Sequence, residues 1–533
     1  MNIIGLHILT HNPSATLIND NGEIFSIALE RVNRVKNSTG LYSDDLIKYL
    51  LDESNLKIEE IDKFIIDKVV KFDTKKNFLD RTNYEIDESK IISINHHLAH
   101  AYSTYYASGF NESAILIVDG AGEWVKQDNK EGVEGSSIYV AKNNEIQLIS
   151  KSLHYRDKIN GYFNGFSIGK FYSKFSKMIG FDSYQEGKLM GLAPFGKKLI
   201  ENYKDYNLDD YVKFNNGDIQ LNPNIFYGNF YLKLKRKIKK IFKKNEENNF
   251  KDIFLSINQK NKNWEKIKEN YLFNAALAQK VVEDCLRVAG QWIYKETNIR
   301  NLCVAGGVGL NIDANTILAT ECGFEETFTL PASEDSGISL GCAYWGKNKF
   351  QKDFQRKKII NAYFGKNYDL ENYYNELNKL NEIKTKDISY EVAKLISEGN
   401  VIGWFTGRSE FGPRALGNRS ILADPRNPEI QNYINTKIKK RETFRPFAPV
   451  VIEEKSDEYF KCKLKSPFML LKTEVKSEAI NLIPAVVHVD NSSRFQTINK
   501  KQNEKLYDLI EKFGEITGVW VLLNTSFNGP GEP

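Results

Sequence analysis

Short apolar runs, each ending in a polar loop, set the rhythm of the first part of the chain. Ile3–Leu9 reads as a strand, and Thr10-His11-Asn12-Pro13-Ser14 is the loop behind it. A hairpin follows, with arms Ala15–Ile18 and Ile24–Leu29 joined at Asn19-Asp20-Asn21-Gly22, a composition that favours tight turns. About 110 residues later the same grammar returns. Ala114–Val118 is an apolar strand, Asp119-Gly120-Ala121-Gly122-Glu123 is a glycine-rich loop, and Ser137–Val140 pairs with Ile146–Ser150 around Lys142-Asn143-Asn144. Strand, polar loop, hairpin and helix, used twice, predict a duplicated α/β core.

Between the repeats, the strand Ile91–Ile94 leads into a helical pattern (Leu98, Ala101, Tyr102, Tyr105, Tyr106) that stops at Gly109. Phe163–Gly196 is rich in glycine and aromatic residues and reads as an ordered loop-and-helix surface. Residues 197–270 are a polar, lysine-rich insertion. Within it Lys233, Lys235, Arg236, Lys237, Lys239, Lys240, Lys243 and Lys244 surround the apolar stripe Leu234, Ile238, Ile241 and Phe242, the pattern of a solvated helix with one docked face. A long helix spans about 271–297. The strand Leu302–Ala305 then runs into Gly306-Gly307-Val308-Gly309, where backbone can approach a ligand and N–H groups can hold an anion. Pro331–Gly337 opens a helix over Ile338–Trp345, and the charged stretch 346–361, without apolar periodicity, reads as a linker. A second domain begins near Ile360, with a helix around Tyr390–Glu398 and a strand Val401–Phe405.

Composition narrows the class. The chain has 533 residues, 41% hydrophobic and 27% charged, which is ordinary for a globular protein of several units. A net charge of +5 is a small excess at this length and does not mark a nucleic-acid binder. The five cysteines show no C-x-x-C spacing, so a reducing compartment is expected. No cleavable leader follows Met1 and no apolar run approaches the ~20 residues of a membrane span, so a soluble, cytoplasmic protein is expected.

Candidate chemistry sits in two places. Of the seven histidines, three fall within His96-His97-Leu98-Ala99-His100. Residues four apart share a helix face, so His96 and His100 can take one metal ion, although the same residues would also serve as a histidine-rich helix cap. Asp119 and then Asp335 are the carboxylates best placed to complete a set suited to iron(II), manganese or zinc. No glutamate separates the two histidines as in a zinc protease helix. The second place is Gly407–Ser420, whose three arginines and few bulky apolar residues suit a loop that grips phosphate. Lys437, Lys439, Lys440, Arg441 and Arg445 add cations nearby.

At these residues the chain resembles the NodU/CmcH family of O-carbamoyltransferases, whose members modify Nod factors, cephems and aminoglycosides such as tobramycin. The resemblance is carried by His96-His97-Leu98-Ala99-His100-Ala101, Asp119-Gly120, Glu186–Pro194, Gly306-Gly307-Val308, Phe411–Ser420, Phe444–Pro449 and Asn524–Asn528, in order along almost the entire chain. It implies an actin-like, sugar-kinase-like domain over 1–350, interrupted by the insertion at about 197–270, and a YrdC-like domain over 360–533. Family members continue beyond Gly-Glu-Pro, so the last elements of the YrdC-like domain are expected beyond Pro533.

The resemblance further implies that the YrdC-like domain makes carbamoyladenylate from carbamoyl phosphate and ATP, with Mg on the ATP, and that the first domain passes the carbamoyl group to a hydroxyl. It makes His96, His100, Asp119 and Asp335 the metal ligands, commonly of Fe(II), and His11 the general base. Gly120, Gly306, Gly307 and Asn311 would line the carbamoyladenylate. Arg414, Lys439, Arg445, Arg494, Asn524 and Ser526 would hold ATP and carbamoyl phosphate. The acceptor is a small molecule or glycan, the residues choosing it are sought in 197–270, and a homodimer is left open. Two other readings share the motifs: a tRNA threonylcarbamoylation enzyme, against which the weak net charge speaks, and a non-catalytic metal-dependent nucleotide- or sugar-binding module.

Overall fold

β1 (Ile3–His7) is buried along its whole length, and the first sheet is built outward from it. With β2 (Ser14–Ile18), β3 (Ile24–Ala28), β4 (Lys63–Lys68) and β5 (Ile91–Asn95) it forms a sheet of order β3-β2-β1-β4-β5. The hairpin strands run antiparallel, while β4 and β5 run parallel to β1. The computed structural model describes residues 1–8, 10–39, 42–69, 73–127, 130–155, 167–222, 225, 269–368, 373, 381, 385–461 and 463–533.

The second sheet repeats the first. Its strands are β6 (Glu112–Val118), β7 (Trp124–Gln127), β8 (Lys130–Lys142) and β9 (Glu145–His154), then, past the separate hairpin of β10 (Val212–Asn215) and β11 (Asp218–Leu221), β12 (Asn301–Ala305) and β13 (Glu326–Thr329). The order is β13-β12-β6-β8-β7, with β9 also on β8. β6, β8, β9, β12 and β13 therefore stand where β1, β2, β3, β4 and β5 stand, with the same parallel and antiparallel relations. This is the duplicated α/β core expected from the strand–loop–hairpin grammar.

Each half sends one helix across to the other. The helix His96–Ser108, after β5, packs Ala101 and Tyr105 with Ile115, Ile117 and Cys303 of the second sheet. The helix Ile338–Phe350, after β13, packs Ile338 and Cys342 with Ile3 and Ile65 of the first. The two helices touch backbone to backbone: a Cβ on Gly341 would lie 1.8 Å from the Ala99 carbonyl oxygen. That approach holds the histidine-bearing helix start against the turn that precedes the second helix.

The remaining chain forms a third sheet from β14 (Ile402–Phe405), β15 (Arg419–Ala423), β16 (Ala448–Ile452), β19 (Gln496–Ile498) and β20 (Val521–Ser526), with a small ladder of β17 (Thr473–Glu474) and β18 (Ser492–Ser493). Helices Ile388–Ser397 and Glu504–Thr517 cover it through Ala393, Ile396, Leu509 and Phe513. It is no loosely tethered module. Phe411, Leu416, Phe468 and Leu470 share one apolar cluster with Phe328, Leu330 and Ala332, and Asn315 Nδ2 donates to the Leu470 carbonyl at 3.2 Å.

One sequence expectation changes here. The segment 346–361 is not a free linker: the helix runs on to Phe350, and the Lys347 side chain is buried. Its ammonium donates to the carbonyls of Met1 and Asn19 at 2.5 and 2.7 Å and to Gln351 Oε1 at 2.8 Å, bonds that offset part of a burial that still lowers it to about 8. Arg356 then stacks on Tyr105 at 4.2 Å and pins the following segment to the first domain. The expected basic helix at 233–244 and Cys462 lie outside the described residues; the other four cysteines are free and buried. Among the described residues no helix is long and apolar enough to cross a membrane.

Gly341→Ala should wedge the two crossing helices apart. The expected cost is about 2–3 kcal/mol, read as a lower thermal melting temperature of the full chain. An unchanged melting temperature would show that the two helices can separate freely.

Candidate metal centre and anion site

Asn95 ends β5 and caps the next helix, its Oδ1 accepting from Leu98 N at 2.9 Å, so the helix begins at His96. His96 and His100 lie one turn apart on a fully buried face, with ring centroids 5.0 Å apart. Asp119 follows the last residue of β6. Its Oδ1 accepts from Gly307 N at 3.0 Å, which turns Oδ2 toward His96 Nε2 at 3.4 Å. Asp335 sits in the turn before Ile338 and places Oδ1 3.8 Å from His96 Nε2 and 3.7 Å from His100 Nε2.

One ligand atom from each of these four residues lies within 4.8 Å of the others. The contacts are too long for hydrogen bonds, and His96 Nε2 and His100 Nε2 have no hydrogen-bond partner among the described residues. Buried imidazole nitrogens are rarely left so. Separations of this size are those of atoms sharing a cation at about 2.0–2.2 Å. The four residues expected as ligands are thus brought together, and their donor set fits a divalent metal. His97 stands apart: its Nδ1 meets Ser137 Oγ at 2.7 Å, and burial pushes its imidazole down to about 4.

Two residues the sequence reading passed over complete the surroundings. Asp67, near the end of β4, is 1% exposed, and its two oxygens meet His7 Nδ1 at 2.9 Å and His96 Nδ1 at 2.8 Å. Burial opposes its charge, but the two imidazoles hold it far below the usual carboxylate range. The same balance holds Asp119 and Asp335 low and lifts His7 and His96: burial would push the imidazoles down, and the carboxylates override it. A signal for Asp67 existed, since an aspartate inside the run Phe64-Ile65-Ile66-Asp67 needs a buried partner.

His11 follows the same opening. Its Nε2 lies 3.4 Å from Asp335 Oδ2, its ring packs on Tyr184 at 4.5 Å, and it is the exposed member of the group at 30%. Gly306 has φ +92°, and a Cβ there would strike the Val118 carbonyl at 2.3 Å, so only glycine lets β12 end against β6. Gly120 has open space where a Cβ would be, beside Asp119. Asn311 differs from these glycines. Its amide caps the helix Ile312–Glu321 through Ala314 N and pairs with Gln279 at 3.0 and 3.1 Å, so the side chain is already fully engaged.

The second site is a surplus of cations. Arg414, Lys439, Arg441, Arg445, Arg494 and Lys36 crowd one another. Burial, then mutual repulsion, lowers Arg441 and Arg494, the first to about 9 and the second well below its ordinary value. Burial also lowers Arg414 to about 10 and Lys439 to about 7. Arg414 Nε and Arg494 Nε are buried without a hydrogen-bond partner among the described residues. Nearby carboxylates do not balance the charge. Glu442 is engaged by Lys188 at 2.7 Å, and burial raises Glu334, beside Arg414, to about 7. Lys439 Nζ donates to Asn528 Oδ1 at 2.7 Å and Ser526 Oγ at 3.3 Å, and Asn524 Nδ2 donates to Gln496 Oε1 at 3.0 Å.

The other two arginines of Gly407–Ser420 do not join this site, contrary to the sequence reading. Arg408 donates to the carbonyls of Gly365, Phe364 and Ile24, and Arg419 to those of Thr406, Asn418 and Gly407. Their planar forks cap backbone carbonyls while stacking on Phe25 and Phe405.

The two sites adjoin. Glu334 precedes Asp335, and Asn12 N, next to His11, donates at 2.9 Å to the carbonyl of Ser38, two residues from Lys36. Replacing one cation should relieve the crowding. Arg494→Leu is expected to raise the melting temperature of the ligand-free protein and to weaken sulfate binding by at least about tenfold. Equal sulfate binding by both proteins would deny the cluster its anion.

Comparison with known proteins identifies the family of the chain. Family models described as carbamoyltransferase N-terminus and carbamoyltransferase C-terminus match residues 2–82, 80–344 and 393–533. Nodulation protein NolNO of Sinorhizobium fredii is 30% identical over 554 residues, covering 98% of this chain and 75% of that protein. Nodulation protein NolO of Bradyrhizobium diazoefficiens is 32% identical over 450 residues, covering 83% and 74%. The uncharacterized protein sll1178 of Synechocystis is 30% identical over 599 residues, covering 100% and 92%. Among solved structures, HypF of T. kodakarensis overlaps with a TM-score of 0.36 at 12% identity, over 67% of this chain and 48% of that one. The activator of the 2-hydroxyisocaproyl-CoA dehydratase from Clostridium difficile gives 0.35 at 12%, over 67% and 100%. Overlaps this partial add nothing to the topology already described.

Proposed function

The chain belongs to the carbamoyltransferase family, and from that membership we propose that it forms carbamoyladenylate from carbamoyl phosphate and ATP and transfers the carbamoyl group to a hydroxyl of a sugar or sugar-bearing natural product. The observation that carries the reading is the meeting of two opposite charge imbalances: a cation cluster short of anions beside a carboxylate–imidazole cluster short of a cation.

In this reading Arg414, Lys439, Arg445 and Arg494 bind the phosphates of carbamoyl phosphate and Mg-ATP, joined by Ser526, which accepts from Lys439, and Asn524, which donates to the Ala415 carbonyl next to Arg414. Water releases phosphate from carbamoyl phosphate, the resulting carbamate attacks the α-phosphorus of ATP, and pyrophosphate leaves. The adenylate then lies along Gly120, Gly306 and Gly307. His96, His100, Asp119 and Asp335 would hold the metal, iron(II) first and manganese or zinc after it, and such a cation supplies Lewis-acid polarisation of an oxygen when bound. His11 removes the acceptor proton. Its Nδ1 has no hydrogen-bond partner among the described residues, and its Nε2 faces Asp335 Oδ2, which steadies the imidazolium. The acceptor oxygen bonds to the carbamoyl carbon and AMP departs with the electrons of the cleaved C–O bond. The insertion at 197–270 is our candidate for acceptor choice, although residues 226–268 lie outside the described residues. The supply of ATP and carbamoyl phosphate places the work in the cytoplasm.

Incubation with ATP, carbamoyl phosphate and a carbohydrate library should yield AMP, pyrophosphate and an acceptor heavier by one carbamoyl group. Absence of ATP consumption with carbamoyl phosphate present would refute the reading. ATP use that depends on threonine would move the chain to tRNA modification instead. His11→Ala should lower acceptor carbamoylation by about 10²–10⁴-fold while ATP–pyrophosphate exchange continues. Equal loss of both activities would remove His11 from the role of base.

A further inference from the structure

Asp67 stands where packing alone would not put a carboxylate. Its strand neighbours Phe64, Ile65 and Ile66 are almost fully buried, and Asp67 itself is 1% exposed. Both of its oxygens are used, and both partners are imidazole Nδ1 atoms: His7 at 2.9 Å and His96 at 2.8 Å. A histidine that donates Nδ1–H to a carboxylate presents Nε2 to a metal and cannot swing about its χ2 axis. His96 does this, with Nε2 toward Asp119 and Asp335. His7 extends the chain of contacts the other way. Its Nε2 lies 3.1 Å from the His11 carbonyl oxygen, on the loop that carries the base.

We propose that Asp67 and His7 are positioning residues, one buried carboxylate fixing the tautomer and angle of the ligand His96 while His7 ties that same carboxylate to the His11 loop. The inference rests on the reading of His96, His100, Asp119 and Asp335 as a metal centre. It adds that the centre and the base share one anchor across three elements: β1, β4 and the start of the His96–Ser108 helix. A merely structural role for the triad would show in stability alone. A positioning role shows in metal affinity and in the transfer step.

The test uses the full chain and cobalt(II) as probe, with affinity measured by chelator competition and ligand geometry by the visible bands of the bound ion. Wild type should bind, and His96→Ala should not. Asp67→Asn should weaken cobalt(II) binding by about 10–100-fold and alter the visible bands, with the circular dichroism of the metal-free protein showing a native fold and its melting temperature lowered by loss of the buried charge pair. The His7 ring also faces the ligand Asp335 at 3.6 Å. His7→Gln should weaken cobalt(II) binding less than Asp67→Asn does and lower kcat for acceptor carbamoylation without changing ATP–pyrophosphate exchange. Wild-type affinity and bands in Asp67→Asn would overturn the inference while leaving the metal centre intact. If wild type takes up no cobalt(II), or His96→Ala binds as well as wild type, the metal reading and the inference fall together. Should Asp67→Asn fail to fold, His7→Gln decides: an unchanged kcat overturns the proposal.

Discussion

Three buried carboxylates, Asp67, Asp119 and Asp335, lie close together at the meeting of the two duplicated halves. Like charges so close in a low-dielectric interior repel strongly, and only nearby positive charge makes the arrangement tolerable. The imidazoles of His7 and His96 satisfy Asp67, and Gly307 N–H satisfies one oxygen of Asp119. What is left over is His96 Nε2, His100 Nε2, Asp119 Oδ2 and Asp335 Oδ1, turned toward one another at hydrogen-bond-exceeding distances. The fold spends unusual effort on this meeting. It needs glycine at Gly306 so that two strands can end together, and glycine at Gly341 so that two helices can cross on their backbones.

Across the domain boundary the imbalance has the opposite sign. Burial lowers Arg414, Arg441, Arg445 and Arg494, neighbouring arginines lower Arg414, Arg441 and Arg494 further, and the carboxylates within reach, Glu442 and Glu334, are engaged elsewhere or held partly protonated by burial. A protein stores such strain where a ligand relieves it. The shared apolar cluster of Phe411, Phe468 and Leu470 with Phe328 and Leu330 keeps the two sites at a fixed separation. The proposed passage of a carbamoyl group from one site to the other needs a boundary of this kind.

Much of this was legible in the chain. The i, i+4 pair His96 and His100 and the strand leading in are close neighbours in the chain, and spacing rules detect them. Asp119 and Asp335 could be nominated because each sits where an apolar element gives way to a glycine- or serine-bearing loop. The duplicated topology followed from repeated strand–loop–hairpin grammar. Contacts between distant segments were not legible. His7 and Asp67 are 60 residues apart, and nothing in either neighbourhood names the other. Lys347 looked like linker because its partners, the carbonyls of Met1 and Asn19, belong to the far end of the chain. Arg408 and Arg419 looked like phosphate ligands because charge composition cannot tell a guanidinium that faces a ligand from one that caps backbone carbonyls. Only Arg414 of that loop joins the cation cluster.

The central claim is that two imidazoles and two carboxylates here bind one divalent cation. Pulsed electron paramagnetic resonance of the manganese(II)-loaded chain tests it most directly. The account predicts couplings from two histidine nitrogens, one lost in His96→Ala and the other in His100→Ala. Bound manganese(II) without any nitrogen coupling would contradict it.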